Sequence, residues 1–211
     1  MTSVLVIDDH PIVLQGCRRV LQDARFGPVL EARDVETGSQ LVRKHQPQVI
    51  IIDLAMQGGG LGGLTLIRTI RAHDARSRIL VFSMHSDPII VRRALEAGAT
   101  GYLLKDTSSQ ELVRAVESVA AGQAYLSPEL AMQVALAGTS VARNPLADLT
   151  PRELQTLGLL AQGKSYGRIA EELSVSYKTV VNVCYQLRQK LDVRTLPELV
   201  RLSVQLLPTS P

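Results

Sequence analysis

Three carboxylates, a hydroxyl and an ammonium occupy one kind of place in this chain, the end of a short apolar run. VLVI at 4–7 leads into Asp8 and Asp9, the apolar run 49–52 into Asp53, ILVF at 79–82 into Ser83, and GYLL at 101–104 into Lys105. Together these groups fit phosphoryl transfer. A carboxylate accepts a phosphoryl group, as an acyl phosphate, only where the approaching oxyanions are neutralised and the metaphosphate-like transition state is held in line. Asp53 is the candidate nucleophile. Asp8 and Asp9, with Asp53 completing the acidic set, suit Mg²⁺, a hard cation that takes one or two carboxylates, waters, a backbone carbonyl and the phosphate itself. Lys105 supplies a mobile point charge, and Ser83 a donor to a phosphate oxygen. Each signal is weak singly, since an Asp-Asp pair commonly marks a solvated turn. Spacing strengthens the set: 44 residues from Asp9 to Asp53, 30 on to Ser83 and 22 more to Lys105 each match whole βα units.

The elements that must position these groups follow from periodicity. Unbroken Val/Ile/Leu runs of four or five residues are strands of a parallel sheet covered on both faces, and such sheets bind ligands beyond the carboxyl ends of their strands. VLEAR at 29–33 adds a fifth strand. Between the runs the period turns helical. Residues 11–24 put Ile12, Val13, Cys17, Val20 and Leu21 on one face, 64–72 put Leu64, Ile67 and Ile70 there, and 88–97 put Ile89, Ala94 and Leu95 beside Val91. Asp87-Pro88 signals a helix start, and Ser108 to Glu111 reads as a capping box before Leu112, Val116 and Val119. Because parallel strands need helical crossovers, residues 1–122 are expected to form a five-stranded doubly wound α/β domain. Residues 123–147, punctuated by Pro128, Gly138, Asn144 and Pro145, read as a linker with one short helix, Pro128 to Ala137. From 148 to 211 the β-like runs stop. A capping box at Thr150–Glu153 opens a helix closed by Gly163, a short helix covers Ser165 to Leu173, and Ser174 or Ser176 caps a longer one to about Leu191. Thr195 to Glu198 opens the last, giving a small all-α helix-turn-helix layout.

Composition narrows the class. With 3% aromatic residues and no Trp, both cores must be aliphatic. Cys17 and Cys184 stand far apart in no metal-ligand spacing, which argues against a disulfide framework or a zinc site and fits a reducing, cytoplasmic setting. No basic stretch leads into an apolar leader, and no apolar run approaches the ~18 residues of a membrane span, so no membrane partner is expected. Residues 1–125 carry 14 Lys/Arg against 13 Asp/Glu, and 147–211 carry eight against six, a mild bias of the C-terminal part towards nucleic acid. An aspartate-nucleophile phosphohydrolase needs a second Asp two residues after the nucleophile, and position 55 is Ala, so the chain is not read as an enzyme.

The stretches VLVIDDHPIV, VIIIDLAM, ILVFSMHSDP and RRALEAGATGYLLKD resemble a bacterial two-component receiver domain across residues 3–122. The resemblance implies a flavodoxin-like fold. It also implies phosphorylation of Asp53 by a partner histidine kinase, Mg²⁺ at Asp8 and Asp9 with the Ala55 carbonyl, and a switch at Ser83 and Tyr102. A phosphate oxygen that pulls the Ser83 hydroxyl inward would vacate space into which Tyr102 turns. LTPRELQTLGLLAQGKSYGRIAEELSVSYKTVVNVCYQLRQKLDVRTLPELV, within residues 149–207, resembles the LuxR-type helix-turn-helix, and the pair of domains marks the NarL/FixJ subfamily.

That likeness implies a recognition helix with Val180, Val183 and Leu187 inward. Lys178, Thr179, Asn182, Tyr185, Gln186 and Gln189 then face DNA, where amide side chains read adenine. Cys184 is expected beside that face, as a small residue at the core edge rather than a redox switch. A homodimer is implied through Leu196, Leu199, Val200 and Leu202. Three features depart from the family pattern. Gly58 to Gly63 holds five glycines in six positions where a short turn is usual, and Lys105-Asp106 replaces Lys-Pro, so a cis bond there would lack the proline that lowers its cost by ~2 kcal/mol. Val181, Val183 and Tyr185 stand where small or basic residues are common, which implies fewer neutralised phosphates and a smaller salt slope. The expected function is a phosphorylation-controlled transcription regulator. The alternative is a phosphorylation-independent DNA-binding regulator whose receiver serves as a dimerisation or partner module.

Overall fold

The computed structural model describes residues 1–56, 61–139, 145, 146 and 148–207. Two compact units divide the chain, the first of Met1–Met56 with Gly63–Gly138 and the second taking in Thr139–Pro211. In the first, five parallel strands, β1 (Val4–Ile7), β2 (Val29–Ala32), β3 (Val49–Ile52), β4 (Arg78–Ser83) and β5 (Gly101–Leu104), form one sheet in the order β2-β1-β3-β4-β5. The crossovers are α1 (Pro11–Asp23), α2 (Val35–His45), α3 (Gly62–His73) and α4 (Pro88–Glu96), with α5 (Ser109–Ala120) following β5. The strands are apolar without alternation because both faces are covered. Val4, Val6, Val49, Ile51, Leu80, Phe82 and Leu103 meet Leu14, Cys17 and Leu21 of α1 and Leu112, Ala115, Val116 and Val119 of α5. The intervening residues, Leu5, Ile7, Ile50, Ile52, Ile79 and Val81, are equally buried and point the other way.

Two details of these helices differ from the sequence reading. Ile12, placed inward by the apolar count, is 77% exposed, and Leu14 takes the core position, so the buried face of α1 runs 14, 17, 21. Ser108 caps α5 by accepting from the Glu111 N–H, but the reciprocal half of the capping box is absent, because the Glu111 carboxylate is taken by the Tyr125 hydroxyl and Arg114. Tyr125 also extends the sheet. It bridges Gly101, and its carbonyl accepts the Tyr102 N–H at 2.8 Å. The helix expected after it, α6, runs Pro128–Thr139 and, up to Gly138, falls within the first unit.

The second unit is helical among its described residues: α7 (Pro151–Ala161), α8 (Tyr166–Glu172), α9 (Tyr177–Lys190) and α10 (Leu196–Leu206). Reciprocal capping boxes at Thr150/Glu153 and Thr195/Glu198 start α7 and α10, and Gly163, with φ of +73°, follows the end of α7. α7 packs against α9 and α10, and α8 against α9. Lys190 Nζ ties the end of α9 to the start of α7, lying 2.8 Å from Glu153 Oε2 and 3.0 Å from the Asp148 carbonyl. Against the upward push of burial, Lys190 and the Thr150 amide hold the Glu153 carboxyl below its ordinary range.

Candidate functional site

The ladder itself delivers the acidic residues to one edge. Strand order reverses between β1 and β3, and a topological switch of this kind opens a crevice beyond the strand ends. The Asp53 N–H donates to the Ile7 carbonyl at 3.0 Å, Asp8 N–H to Ala32 at 3.0 Å and Lys105 N–H to Ser83 at 2.9 Å, so each residue continues the register of its strand. The side chains then meet. Lys105 Nζ lies 2.7 Å from Asp8 Oδ2 and 2.8 Å from Asp53 Oδ2, with both carboxylates buried and the lysine half-buried. Burial alone would lower the Lys105 pKa; the adjoining carboxylates, Asp53 first, raise it overall, so the ammonium is retained. Burial pushes the Asp9 carboxyl up, with Asp8 and Asp53 adding to the shift and His10 offsetting part of it.

Asp53 Oδ1 is buried and accepts no hydrogen bond among the described residues, whereas Asp9 Oδ1 lies 2.9 Å from His10 Nδ1 in an ion-pair contact. An orphaned buried acceptor costs about 1–3 kcal/mol, so this edge is incomplete as a purely structural arrangement. Ligand atoms of Asp8, Asp9, His10 and Asp53 all lie within 4.8 Å of one another. Hard oxygen donors, with Asp53 Oδ1 unsatisfied, fit a divalent cation. His10 belongs to this group but not to the predicted set; the signal available was the run Asp-Asp-His at a strand end.

Ser83 is fully buried, and its Oγ accepts the His85 N–H at 3.4 Å. The Tyr102 hydroxyl donates to the His85 carbonyl at 2.7 Å, with the ring wholly buried and its phenol pKa pushed up by that burial. The aromatic side chain expected to turn inward is therefore already inside. Burial also pushes the His85 imidazole down, towards its neutral form. The expectation of a mobile glycine loop falls largely on residues 57–60, which lie outside those described. Gly63 is placed by close approach rather than by freedom: a Cβ there would meet Leu54 Cα at 2.7 Å and the Asp53 carbonyl oxygen closer still. Gly27–Pro28 is the one cis bond among the described residues, so the Lys105–Asp106 peptide is trans and Lys105 reaches both carboxylates from it.

In the second unit, Ser176 caps α9 by accepting from the Thr179 N–H, while Ser174 takes a turn conformation with φ of +51°. Lys178, Asn182, Tyr185, Gln186 and Gln189 are exposed along α9, and Thr179 is half-buried with Oγ1 at 2.8 Å from Ser176 Oγ. The Arg188 guanidinium lies 5.8 Å from the Tyr185 ring centroid, a cation–π arrangement. The inward stripe needs correction. Val180, Cys184 and Leu187 are buried and Val183 is only half-buried, because 180, 184 and 187 follow the i, i+4, i+7 line that faces α7. Cys184 is buried, in keeping with the core-edge place expected of it. Leu199 is likewise withdrawn as a dimer contact, being fully buried where α10 meets α7; Leu196, Val200 and Val204 are the residues that line an outer stripe. Tyr177, exposed at the start of α9 with its ring 6.0 Å from that of Tyr166, was not singled out by sequence.

Residues 4–117 match the response regulator receiver domain, and residues 147–203 match the bacterial regulatory proteins of the luxR family. The chain belongs to the response regulators. It is 36% identical over 198 residues to the methanol utilization control regulatory protein MoxX of Paracoccus denitrificans, covering 94% of this chain and 89% of that one. It is 34% identical over 208 residues to the response regulator UvrY of Escherichia coli K12, covering 97% and 94%. Among solved structures, RcsB of Salmonella enterica serovar Typhimurium, bound to promoter P1flhDC in the presence of the phosphomimetic BeF3⁻, superposes with a TM-score of 0.74 at 28% identity, covering 97% of this chain and 98% of that one. A receiver joined to a LuxR-type DNA-binding domain makes this response regulator a two-component transcription regulator and not an enzyme. No helix among its described residues is long and apolar enough to cross a membrane.

Proposed function

We propose that this response regulator accepts a phosphoryl group on Asp53 from a histidine kinase and that the modification controls DNA binding by the second unit. One observation carries the reading. The two oxygens of Asp53 are in different states, Oδ2 held by Lys105 and Oδ1 buried without a partner beside the other carboxylates. The unpartnered oxygen is the one that attacks phosphorus, and the bond from phosphorus to the donor nitrogen breaks as it does so. Lys105 moves from the carboxylates to a phosphate oxygen, and the Ser83 hydroxyl donates to another. Asp8, Asp9 and Asp53, with the Ala55 carbonyl, would hold Mg²⁺, which neutralises the oxyanions that otherwise repel this acidic edge.

On the DNA side, Lys178 and Thr179 serve phosphates, while Asn182 and Gln186 reach base edges and Tyr185 packs between them. Seating on a cytoplasmic promoter as a homodimer, through Leu196, Val200 and Val204, multiplies a small basic surface. The solved complex of RcsB with its promoter supports this placement. Incubation with acetyl phosphate and Mg²⁺ followed by intact mass tests the first step: wild type gains one phosphoryl group and Asp53→Asn gains none. A second reading, in which the receiver acts without phosphorylation, is favoured by the inward Tyr102. Full DNA affinity in Asp53→Asn, with no response of wild type to acetyl phosphate, would establish it.

A further inference from the structure

We propose that a cleft at the amino-terminal edge of the receiver sheet, opposite the acidic edge, binds a phosphorylated small molecule of nucleotide size, its phosphates on Arg43, Arg76 and Arg78 and its apolar part on Val42, Pro47 and Ile70. The cleft lies where the ends of α2 and α3 meet the starts of β3 and β4, and it holds about 870 Å³. Small-molecule sites commonly enclose roughly 300–1,000 Å³. Among the residues that line it, Val42, Pro47 and Ile70 are buried and form an apolar floor. The rim is cationic. Arg43, Arg76 and Arg78 are exposed, and no side-chain hydrogen bond or ion pair engages their guanidinia among the described residues.

Asp74 is the only carboxylate on this lining among the described residues, and it is already engaged. Its Oδ1 accepts the Arg76 N–H at 2.7 Å and the Ser77 N–H at 3.2 Å, and its Oδ2 accepts the Ser77 hydroxyl. Against the upward push of burial, these donors hold the Asp74 carboxyl below its ordinary range. Arg71 of α3 donates only to carbonyls, those of Gly98 at 2.8 Å, Ser77 at 2.7 Å and Asp74 at 3.2 Å. Burial, with the like charge of Arg78 adding to it and Asp74 offsetting part, pushes its guanidinium below the ordinary range. Positive charge thus outweighs negative at this edge, and planar guanidinia pair with phosphate oxygens two at a time. Compensation of helix dipoles is the rival account, because Arg43 and His73 stand in the last turns of α2 and α3. It leaves out Arg76, which lies between α3 and β4, and Arg78, the first residue of β4. The buried floor favours a small molecule over DNA, whose phosphates would meet the arginines from outside and leave Val42, Pro47 and Ile70 untouched.

The test titrates the full-length protein by calorimetry with ATP, pyrophosphate and adenosine in turn, in EDTA so that no divalent cation carries a phosphate to the acidic edge. Expected are a single site for ATP with Kd below ~1 mM, pyrophosphate at least ~10-fold weaker, and adenosine weaker still. The double variant Arg76→Gln, Arg78→Gln should weaken ATP by ~10-fold or more, and Arg43→Gln, on a different element, should weaken it too. Thermal unfolding confirms that each variant is folded. No saturable binding of ATP up to ~1 mM, or ATP affinity untouched by both variants, overturns the proposal. Pyrophosphate as tight as ATP also overturns it, since the apolar floor then contributes nothing. A DNA duplex that loses affinity in these variants, where wild type binds no ATP, gives the face to nucleic acid instead.

Discussion

The edge of the receiver sheet and the outer face of α9 solve opposite problems. At the sheet edge the functional groups are wholly or partly buried and locked by one another: Lys105 bridges two carboxylates, and the backbone ladder fixes where each side chain starts. On α9 they are exposed, and apart from Thr179 against Ser176 and Tyr185 against Arg188 they lean on solvent. The first arrangement fixes chemistry. The second leaves room to vary which sequence is read, because replacing an exposed side chain costs the fold almost nothing.

Substitutions at the two places should therefore divide between stability and binding. The largest stability effect is expected for Lys105→Ala, which strands the Asp8 and Asp53 carboxylates: a loss of about 3 kcal/mol in urea unfolding, part of it recovered by adding Mg²⁺. A variant as stable as wild type would break the claim that the edge is interlocked. Gly63→Ala forces a methyl against the backbone of Asp53 and Leu54 and should cost about 2 kcal/mol in the same measurement. By contrast, Gln186→Ala should leave unfolding unchanged and cost about 1–2 kcal/mol of discrimination between the best DNA fragment and one altered by a single base pair. Lys178→Ala should weaken all sequences alike and reduce the slope of log affinity against log salt by about one; retained slope with altered specificity would reverse the roles assigned along α9.

The smallest effect concerns Asp9. Its folded-state pKa stands above the ordinary 3.8, so the folded chain holds this proton more tightly than the unfolded chain, and stability falls as pH rises through that window. Asp9→Asn should then raise the melting temperature by about 2 °C near neutral pH and give no gain well below pH 3.8. A loss of stability at neutral pH would mean that the carboxylate is wanted there in the absence of a cation.

The same contrast explains what the sequence disclosed. Strand ends are legible because a doubly covered strand is apolar from end to end, and the first polar residue after it marks the sheet edge. Helix faces are less so. Ile12 and Leu14 differ little in hydropathy, and only packing places 14, 17 and 21 inward. Val183 looked the better core residue than Cys184, yet helical phase with Val180 and Leu187 decides for the cysteine. Leu199 was assigned outward as a partner contact although it lies on the line that meets α7. His10 and Tyr125 owe their contacts to tertiary placement, which no local pattern encodes. Tyr125 diverts Glu111 from its capping role, and that diversion is invisible in the four residues of the apparent capping box.

The central claim is that phosphate on Asp53 governs what α9 binds. It is tested most directly by anisotropy of one labelled DNA fragment, selected for tight binding from a genomic library, against full-length wild type and Asp53→Asn, each before and after treatment with acetyl phosphate and Mg²⁺ and with intact mass taken on the same samples. The expected result is a phosphoryl adduct on wild type alone, accompanied by a change of about tenfold in affinity that Asp53→Asn does not show. Fully phosphorylated wild type with unchanged affinity, or an adduct that survives Asp53→Asn, would contradict it.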